Sequence, residues 1–210
     1  MKGYNKKLCS LAFTSIIFVA VFSSGCIDTR FNSDEERLTA KTAFQLAFED
    51  ANESMEGKLT VEEAWLGRMV GEGVNNDGYA KRWRCSFSIP KNHTHRIYFR
   101  YAVDGDESIE LRNRETSQIN NGNPIENWII DSDEAVEVGK SNQKIERYLN
   151  KYDRASIEGM RLYMRDEYSK NDWIWMIHWS YSGGIFGDPV HAEIIINARN
   201  GEVIEVDADE

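Results

Sequence analysis

One order of elements occurs twice along this chain, and this repetition constrains the fold more than any other feature. Each half starts with an amphipathic helical segment and continues with runs in which apolar and polar residues alternate, as they do in β-strands. Matching positions lie 92 to 95 residues apart, namely Thr39 and Ser132, Trp83 and Trp175, Val103 and Asn197, and Ile109 and Ile204. We therefore interpret the chain as an internal duplication of one α+β unit.

The first half predicts one helix followed by four strands. Thr39 is a suitable N-cap for a helix that continues to about Met55, because apolar residues recur there at spacings of three and four. The strands are expected at 59–65, 79–89, 95–103 and 108–111, with a turn at Asp104-Gly105 before the last one.

The second half predicts the same order of elements. The segment 131–134 has the sequence of a capping box, and we expect one helix from there to about Tyr152. Strands are expected at 157–164, 173–181, 191–198 and 203–206, with a turn at Asn200-Gly201 before the last.

These elements predict an α+β fold of two similar units, each with one helix packed on a four-stranded antiparallel sheet. We place a tether at 26–36, the first unit at 37–113, a polar linker at 114–127 and the second unit at 128–210. A unit of this size has a small core, so we expect the two units to pack together.

The first 26 residues have the features of an export signal. Three lysines precede an uncharged, mostly apolar run over residues 8–22, which is shorter than the roughly 20 residues that span a bilayer comfortably. The run ends in Ser23-Ser24-Gly25-Cys26, which resembles the lipobox of prokaryotic lipoproteins, although Ser23 stands where an aliphatic residue is usual.

The resemblance to lipoproteins implies a signal peptide over 1–25 and a lipid on Cys26, which would become the new N-terminus and anchor the chain to the membrane. It also implies an extracytoplasmic location, on the outer face of the cytoplasmic membrane or in the cell envelope. A plain signal peptide and an uncleaved anchor extending through Ile27 are the alternatives.

The charge and the cysteines exclude several classes of protein. The chain has 25 basic and 35 acidic residues, and an acidic surface repels nucleic acid, so we expect no nucleic-acid partner. If Cys9 leaves with the signal and Cys26 is lipidated, as the resemblance to lipoproteins implies, Cys85 has no partner for a disulfide within the chain. We interpret Cys85 as a small buried apolar residue.

No motif in the sequence identifies a catalytic residue, a cofactor site or a metal site, and we expect a protein that is not an enzyme. His93 and His95 alternate near the start of a strand, and we interpret them as a surface pair. His178 and His191 approach each other only if their two strands pair, and the sequence alone assigns them no ligand.

The segment 173–181 is apolar on both of its faces, with four aromatic rings on one of them. A strand of this kind is covered on both faces, either within the chain or by a partner. The glycine-rich connection that follows contains an aromatic residue, and we predict a partner-binding loop at Gly183, Gly184, Ile185 and Phe186.

The second half resembles the PepSY family and the wider group of cystatin-like domains. The resemblance rests on Ile130–Val138 at the start of the helix and on the segment 192–204, which contains Asn197-Ala198-Arg199-Asn200-Gly201-Glu202 between two strands. It covers roughly residues 128–208, and the first half is included only through the repeat.

The PepSY resemblance implies a non-catalytic module that binds, and in some cases restrains, a peptidase or another envelope protein. With the signal, it predicts an exported, membrane-tethered binding or inhibitory protein without a cofactor. A structural lipoprotein that helps to assemble an envelope complex is the alternative, and an enzyme with an unrecognised site is a more distant one.

Overall fold

A computed structural model describes residues 36–55, 60–118, 123–124, 128–164, 172–183 and 188–209. Its helices are α1 (Ala40–Glu53), α2 (Ser132–Lys140) and α3 (Gln143–Lys151), and a 3₁₀ turn covers Val61–Glu63. Its strands are β1 (Trp65–Val74), β2 (Ala80–Pro90), β3 (His95–Asp104), β4 (Ile109–Gln118), β5 (Asn123–Pro124), β6 (Ser156–Met164), β7 (Trp173–Tyr181), β8 (Val190–Asn197) and β9 (Val203–Ala208).

The described strands form one antiparallel sheet. Eight of them follow the order β4-β3-β2-β1-β6-β7-β8-β9, and the two-residue strand β5 pairs with the start of β1. The halves join where β1 pairs with β6, with Met69 opposite Leu162, Val70 opposite Arg161 and Gly71 opposite Met160. The predicted fold of two units, each with its own four-stranded sheet, was therefore wrong.

The physical reason for the joined sheet lies in the edges of the two halves. Taken alone, β1 and β6 would each be an edge strand with a row of unpaired backbone N–H and C=O groups. Pairing them removes both edges at once and satisfies those groups. Periodicity within a strand does not encode which edges meet, so the sequence pattern is the same for one sheet or two.

The strand registers of the two halves correspond position by position. Gly71 pairs with Trp83, and at the equivalent place in the second half Leu162 pairs with Trp175. The two halves are thus related by a pseudo-twofold symmetry. Its centre lies at the pair of Val70 and Arg161, which are equivalent residues opposite each other. The same pairings equate Val103 with Ile196 and Ile109 with Val203, one position short of the alignment made from the sequence. Matching registers of this kind are what an internal repeat predicts.

Two other element predictions were wrong. The expected strand at 59–65 was misplaced, because Thr60 and Glu63 form a capping box that starts the 3₁₀ turn, and the strand begins only at Trp65. The single helix expected over 131–152 is two helices, because Asn142 caps α3 by accepting a hydrogen bond from the backbone N–H of Lys144 at 3.0 Å.

Other bounds agree with the sequence. Thr39 is the N-cap of α1, Asp131 and Glu134 form the predicted capping box of α2, and β7 has the predicted bounds. Strand β4 is longer than expected and continues to Gln118, within the segment that was interpreted as a linker. None of the helices in the described part of the chain is long and apolar enough to span a membrane.

The helices cover one face of the sheet, with α1 on β2 and β3 and with α2 and α3 on the second half. A single apolar core runs across both halves beneath them. Trp83 and Trp175 lie next to the junction, with their ring centroids 6.2 Å apart in an edge-to-face arrangement. Their Nε1–H groups donate to the carbonyls of Leu38 and Ile130 at 2.8 and 2.9 Å, which are equivalent positions in the two halves.

The N-termini of α1 and α2 also meet, and α2 caps α1. The backbone N–H of Ala40 donates to Ser132 Oγ at 3.0 Å, and that of Lys41 donates to Asp131 Oδ1 at 3.0 Å. Two donors that the first turn of a helix leaves unpaired are thereby satisfied by the other half. The contact ties the halves together on the helical side, where the sheet junction has only three residue pairs.

We predict that Ser132→Ala lowers the free energy of unfolding by about 1–3 kcal/mol, because it leaves the N–H of Ala40 buried and unpaired. Ser132 is fully buried. Ser141→Ala is the matched control, since Ser141 is exposed and its hydroxyl only donates to the carbonyl of Glu137. Urea unfolding of both variants is the measurement, and an equal effect of the two substitutions would contradict the capping role.

We predict that Gly78→Ala lowers the free energy of unfolding by about 2–4 kcal/mol. Gly78 has a φ of +86°, and an added Cβ would lie 2.5 Å from the carbonyl oxygen of Ser132, so backbone strain and a clash with α2 act together. At Gly159 an added Cβ meets nothing within 4 Å. We therefore expect Gly159→Ala to change stability by less than about 1 kcal/mol, and thermal unfolding of the two variants tests the difference.

Candidate functional site

The face of the sheet opposite the helices, which we call the open face, carries the residues that alternate with the core. In the first half it is dominated by arginine. Arg82 and Arg84 lie between the buried residues of β2, and Arg100 does so on β3. Because the alternation of β-strands places such residues on one side, these cations collect on a single surface.

The arginines surround a shallow depression of about 850 Å³, which we call the arginine groove. Small side chains form part of its floor, since Ser86 and Ala102 lie between the longer ones. Among the described residues, six arginines line it, namely Arg68, Arg82, Arg84, Arg100, Arg112 and Arg161. The groove is a concentration of positive charge on a chain whose formal net charge is −10.

The strand registers place these arginines in rows. In one row Arg68 pairs with Ser86, which pairs with Arg100 on the far side. In the next row Arg161 pairs with Val70, which pairs with Arg84. Neighbouring strands lie about 4.8 Å apart, so Arg68 and Arg100 flank Ser86 with their backbones about 10 Å from each other.

A bulge in β1 contributes to this arrangement. The register shifts between Leu66 and Arg68, so that Gly67 is the extra residue. A Cβ at Gly67 would lie 2.9 Å from Ser86 Oγ, so glycine permits the close approach of β1 and β2 at this point. Bulges of this kind change the direction in which neighbouring side chains point.

Three of the six arginines are paired with carboxylates. Arg82 and Asp104 make two hydrogen bonds, at 2.5 and 3.1 Å, and this carboxylate raises the pKa of the guanidinium. Arg84 pairs with Glu72, and Arg112 pairs with Glu110 at 2.6 Å. These pairs lie around the margin of the groove.

Arg68, Arg100 and Arg161 form no ion pair with the described residues of the chain, and all three are exposed. Three exposed guanidinium groups near one another repel each other, and such repulsion lowers stability slightly. Each offers five N–H donors in a planar fork that matches a carboxylate or a phosphate. The groove therefore offers hydrogen-bond donors and positive charge that match an anion.

An aromatic depression of about 500 Å³ adjoins the groove and shares Ser86 and Arg100 with it. Its lining includes Trp65, Tyr98 and Tyr163. Nearby, the guanidinium of Arg96 lies 3.8 Å from the centre of the Trp65 ring and donates to Ser88 Oγ at 3.0 Å, which holds the indole in position.

The second half has different side chains at the equivalent open-face positions. Ser86 pairs with Arg100 in the first half, and His178 pairs with Glu193 at the equivalent place in the second. A histidine therefore replaces the serine, and a carboxylate replaces the arginine. The bulge recurs in β6, where Glu158 is the extra residue in place of Gly67. His178 and His191 are in contact, with Nε2 of the first 3.0 Å from Nδ1 of the second.

The remaining residues singled out in the sequence are placed as follows. Cys26, Gly184, Ile185 and Phe186 lie outside the described residues, and Gly183 is exposed just after β7. His93 is exposed in the β2–β3 connection, and His95 is the half-buried first residue of β3. Cys85 is buried, and burial raises the pKa of its thiol, as expected for an inert apolar residue.

The sequence left open whether both faces of β7 are covered within the chain, and the structure shows buried residues on each face. Trp173, Trp175, Ile177 and Trp179 are buried on the helical side, and Ile174 is buried on the open face. The arginine groove was missed by the sequence analysis, although its signal was present. The alternation of arginine with buried residues in 82–85 marks a cationic face, but only the pairing of β1, β2, β3, β4 and β6 collects the arginines of separate strands.

Comparisons with known proteins give no further guide to the chemistry of this surface. No known protein family, no curated protein and no solved structure matches the chain.

Proposed function

We propose that this protein is a non-catalytic binding module, exported and tethered to the membrane through Cys26, whose arginine groove binds a carboxylate-rich segment of an envelope or secreted protein. A peptidase restrained by this contact is the partner class that the PepSY resemblance favours. The proposal combines the lipoprotein-like start of the chain with the chemistry of the open face.

The observation that carries the proposal is the set of three exposed arginines that have no acidic partner among the described residues. The protein has carboxylates available, and it uses Glu72, Asp104 and Glu110 to neutralise the neighbouring arginines. Arg68, Arg100 and Arg161 are left for an external anion. Natural proteins often retain unfavourable charge where binding needs it.

A carboxylate-rich protein segment suits this surface better than an extended polyanion. Outside the groove the chain is acidic, so a long nucleic acid or an anionic membrane surface would be repelled by the rest of the molecule. A short acidic segment contacts only the groove. The adjoining aromatic depression supplies apolar and stacking contacts for side chains that flank the carboxylates.

We predict that the triple substitution Arg68→Gln, Arg100→Gln and Arg161→Gln weakens the binding of an oligoglutamate peptide by at least about tenfold, because charge-assisted hydrogen bonds are lost. The probe is a short fluorescent peptide, and its anisotropy is measured against the full-length protein in neutral detergent. The affinity of the unaltered protein should fall as salt is added, since exposed charges are screened.

The matched control has the same change in charge on another surface. Lys144, Arg147 and Lys151 are exposed on α3. Replacing all three with glutamine removes the same net charge as the groove variant does, but away from the groove, so peptide affinity should stay within about twofold of that of the unaltered protein. An oligoglutamine peptide should not bind. Equal losses in the two triple variants would show a non-specific charge effect and contradict the role of the groove.

The partner class is tested with the same three proteins. Each is immobilised and exposed to envelope and secreted proteins of the host, and the retained proteins are identified. We expect a partner that the unaltered protein and the α3 variant retain and the groove variant releases. If the partner is a peptidase, its activity should fall when it is bound. Retention by all three proteins would place the binding surface elsewhere.

A further inference from the structure

The second half of the open face brings three potential metal ligands together from three strands. Glu158 lies on β6, His178 on β7 and His191 on β8, and their ligand atoms all lie within 4.8 Å of one another. We propose that Glu158 Oε2, His178 Nε2 and His191 Nδ1 bind one divalent metal ion of the zinc type. This site is separate from the arginine groove and does not depend on its function.

The distances fit a tetrahedral site. Zinc bonds of 2.0–2.1 Å place two ligand atoms of a tetrahedron about 3.3 Å apart. The two histidine nitrogens are 3.0 Å apart, and His178 Nε2 is 3.6 Å from Glu158 Oε2. The Glu158 carboxylate lies within 4.8 Å of the His191 ligand nitrogen, and it has to come closer to both histidines to complete the set of three ligands. The Glu158 side chain is 63% exposed, so a rotation about its own bonds is enough.

The backbone provides this convergence. His191 lies opposite Ser180, and His178 lies opposite Glu193, so the two histidines are diagonal neighbours on adjacent strands. The bulge between Ile157 and Gly159 inserts Glu158 beside His178. In addition, the backbone N–H of His191 donates to Asp209 Oδ2 at 2.7 Å, which holds this end of β8 in place.

A carboxylate also stands behind one of the ligands. Nδ1 of His178, the nitrogen that faces away from His191, lies 3.7 Å from Glu193 Oε2. Histidines that bind a metal usually present their other ring N–H to a carboxylate or carbonyl, which fixes the tautomer and the orientation of the ring. Glu193 is positioned for that role and would move closer to His178 when Nε2 binds a metal.

Charge favours a cation at this point. Glu158 and Glu193 both face His178, and these two carboxylates supply negative charge that a divalent ion would balance. Glu158 also borders a depression of about 450 Å³, whose lining includes Ser156, Ser180 and the cation Arg154, and from this side the fourth position of the ion is open to solvent. Water or a group of a partner protein would fill that position.

The experiment is a titration of the metal-free, full-length protein in neutral detergent with Zn²⁺, followed by calorimetry, and with Co²⁺, followed by visible absorption. We expect one ion per chain and the absorption of a tetrahedral Co²⁺ site. His178→Ala and His191→Ala should each weaken binding by at least about 100-fold, and Glu193→Gln by about tenfold. Zn²⁺ should also raise the melting temperature of the unaltered protein.

The chain offers a matched control because its four histidines form two pairs. The double variant His93→Ala, His95→Ala removes the pair outside the site and should bind Zn²⁺ as the unaltered protein does. Loss of binding in this variant, or equal affinity in His178→Ala and the unaltered protein, would overturn the proposal. Glu158→Gln changes an exposed side chain and should leave the fold intact, so weaker Zn²⁺ binding in this variant reports the loss of a ligand. Circular dichroism verifies the fold of every variant.

Discussion

The contact between Trp83 and Trp175 is the interaction on which the rest of the structure depends. The two indoles meet edge to face beside the β1–β6 junction, and each donates a hydrogen bond to the chain that leads into the first helix of its own half. One pair of side chains thus connects the two halves of the sheet and positions the entry to α1 and α2. The strand pairing at the junction is short, so this apolar and polar contact on the helical side is needed to hold the halves in one body.

A single sheet with helices on one face leaves the other face without a helical layer, and that face carries both candidate sites. The two halves carry side chains of different charge at equivalent backbone positions. Where the first half has Ser86 and Arg100, the second has His178 and Glu193. The bulge residue is Gly67 in one and Glu158 in the other. On this one face, the scaffold therefore presents a cationic groove in the first half and a cluster of metal-binding residue types in the second half.

The candidate sites could be predicted from the sequence only in part, and the reason is geometric. Alternation along 82–85 and 97–103 assigned the correct residues to the buried face, which leaves the arginines between them on the opposite face. The capping residues Thr39 and Asp131 were identified because their hydrogen bonds are local. The histidines were noted as neighbours only on the condition that their strands pair, since His178 and His191 meet through the β7–β8 register rather than through sequence spacing.

By itself, the sequence determined which segments are strands in most of the chain, which face of each strand is apolar, and the repeated order of elements. These properties follow from local periodicity and from caps that involve neighbouring residues. Only the tertiary structure decided that the halves share one sheet, that a bulge brings Glu158 to the two histidines, and that three arginines have no acidic partner within the described residues. Backbone hydrogen bonds between strand edges are nearly independent of side-chain identity, so the pairing of edges is settled by the packing of the whole core.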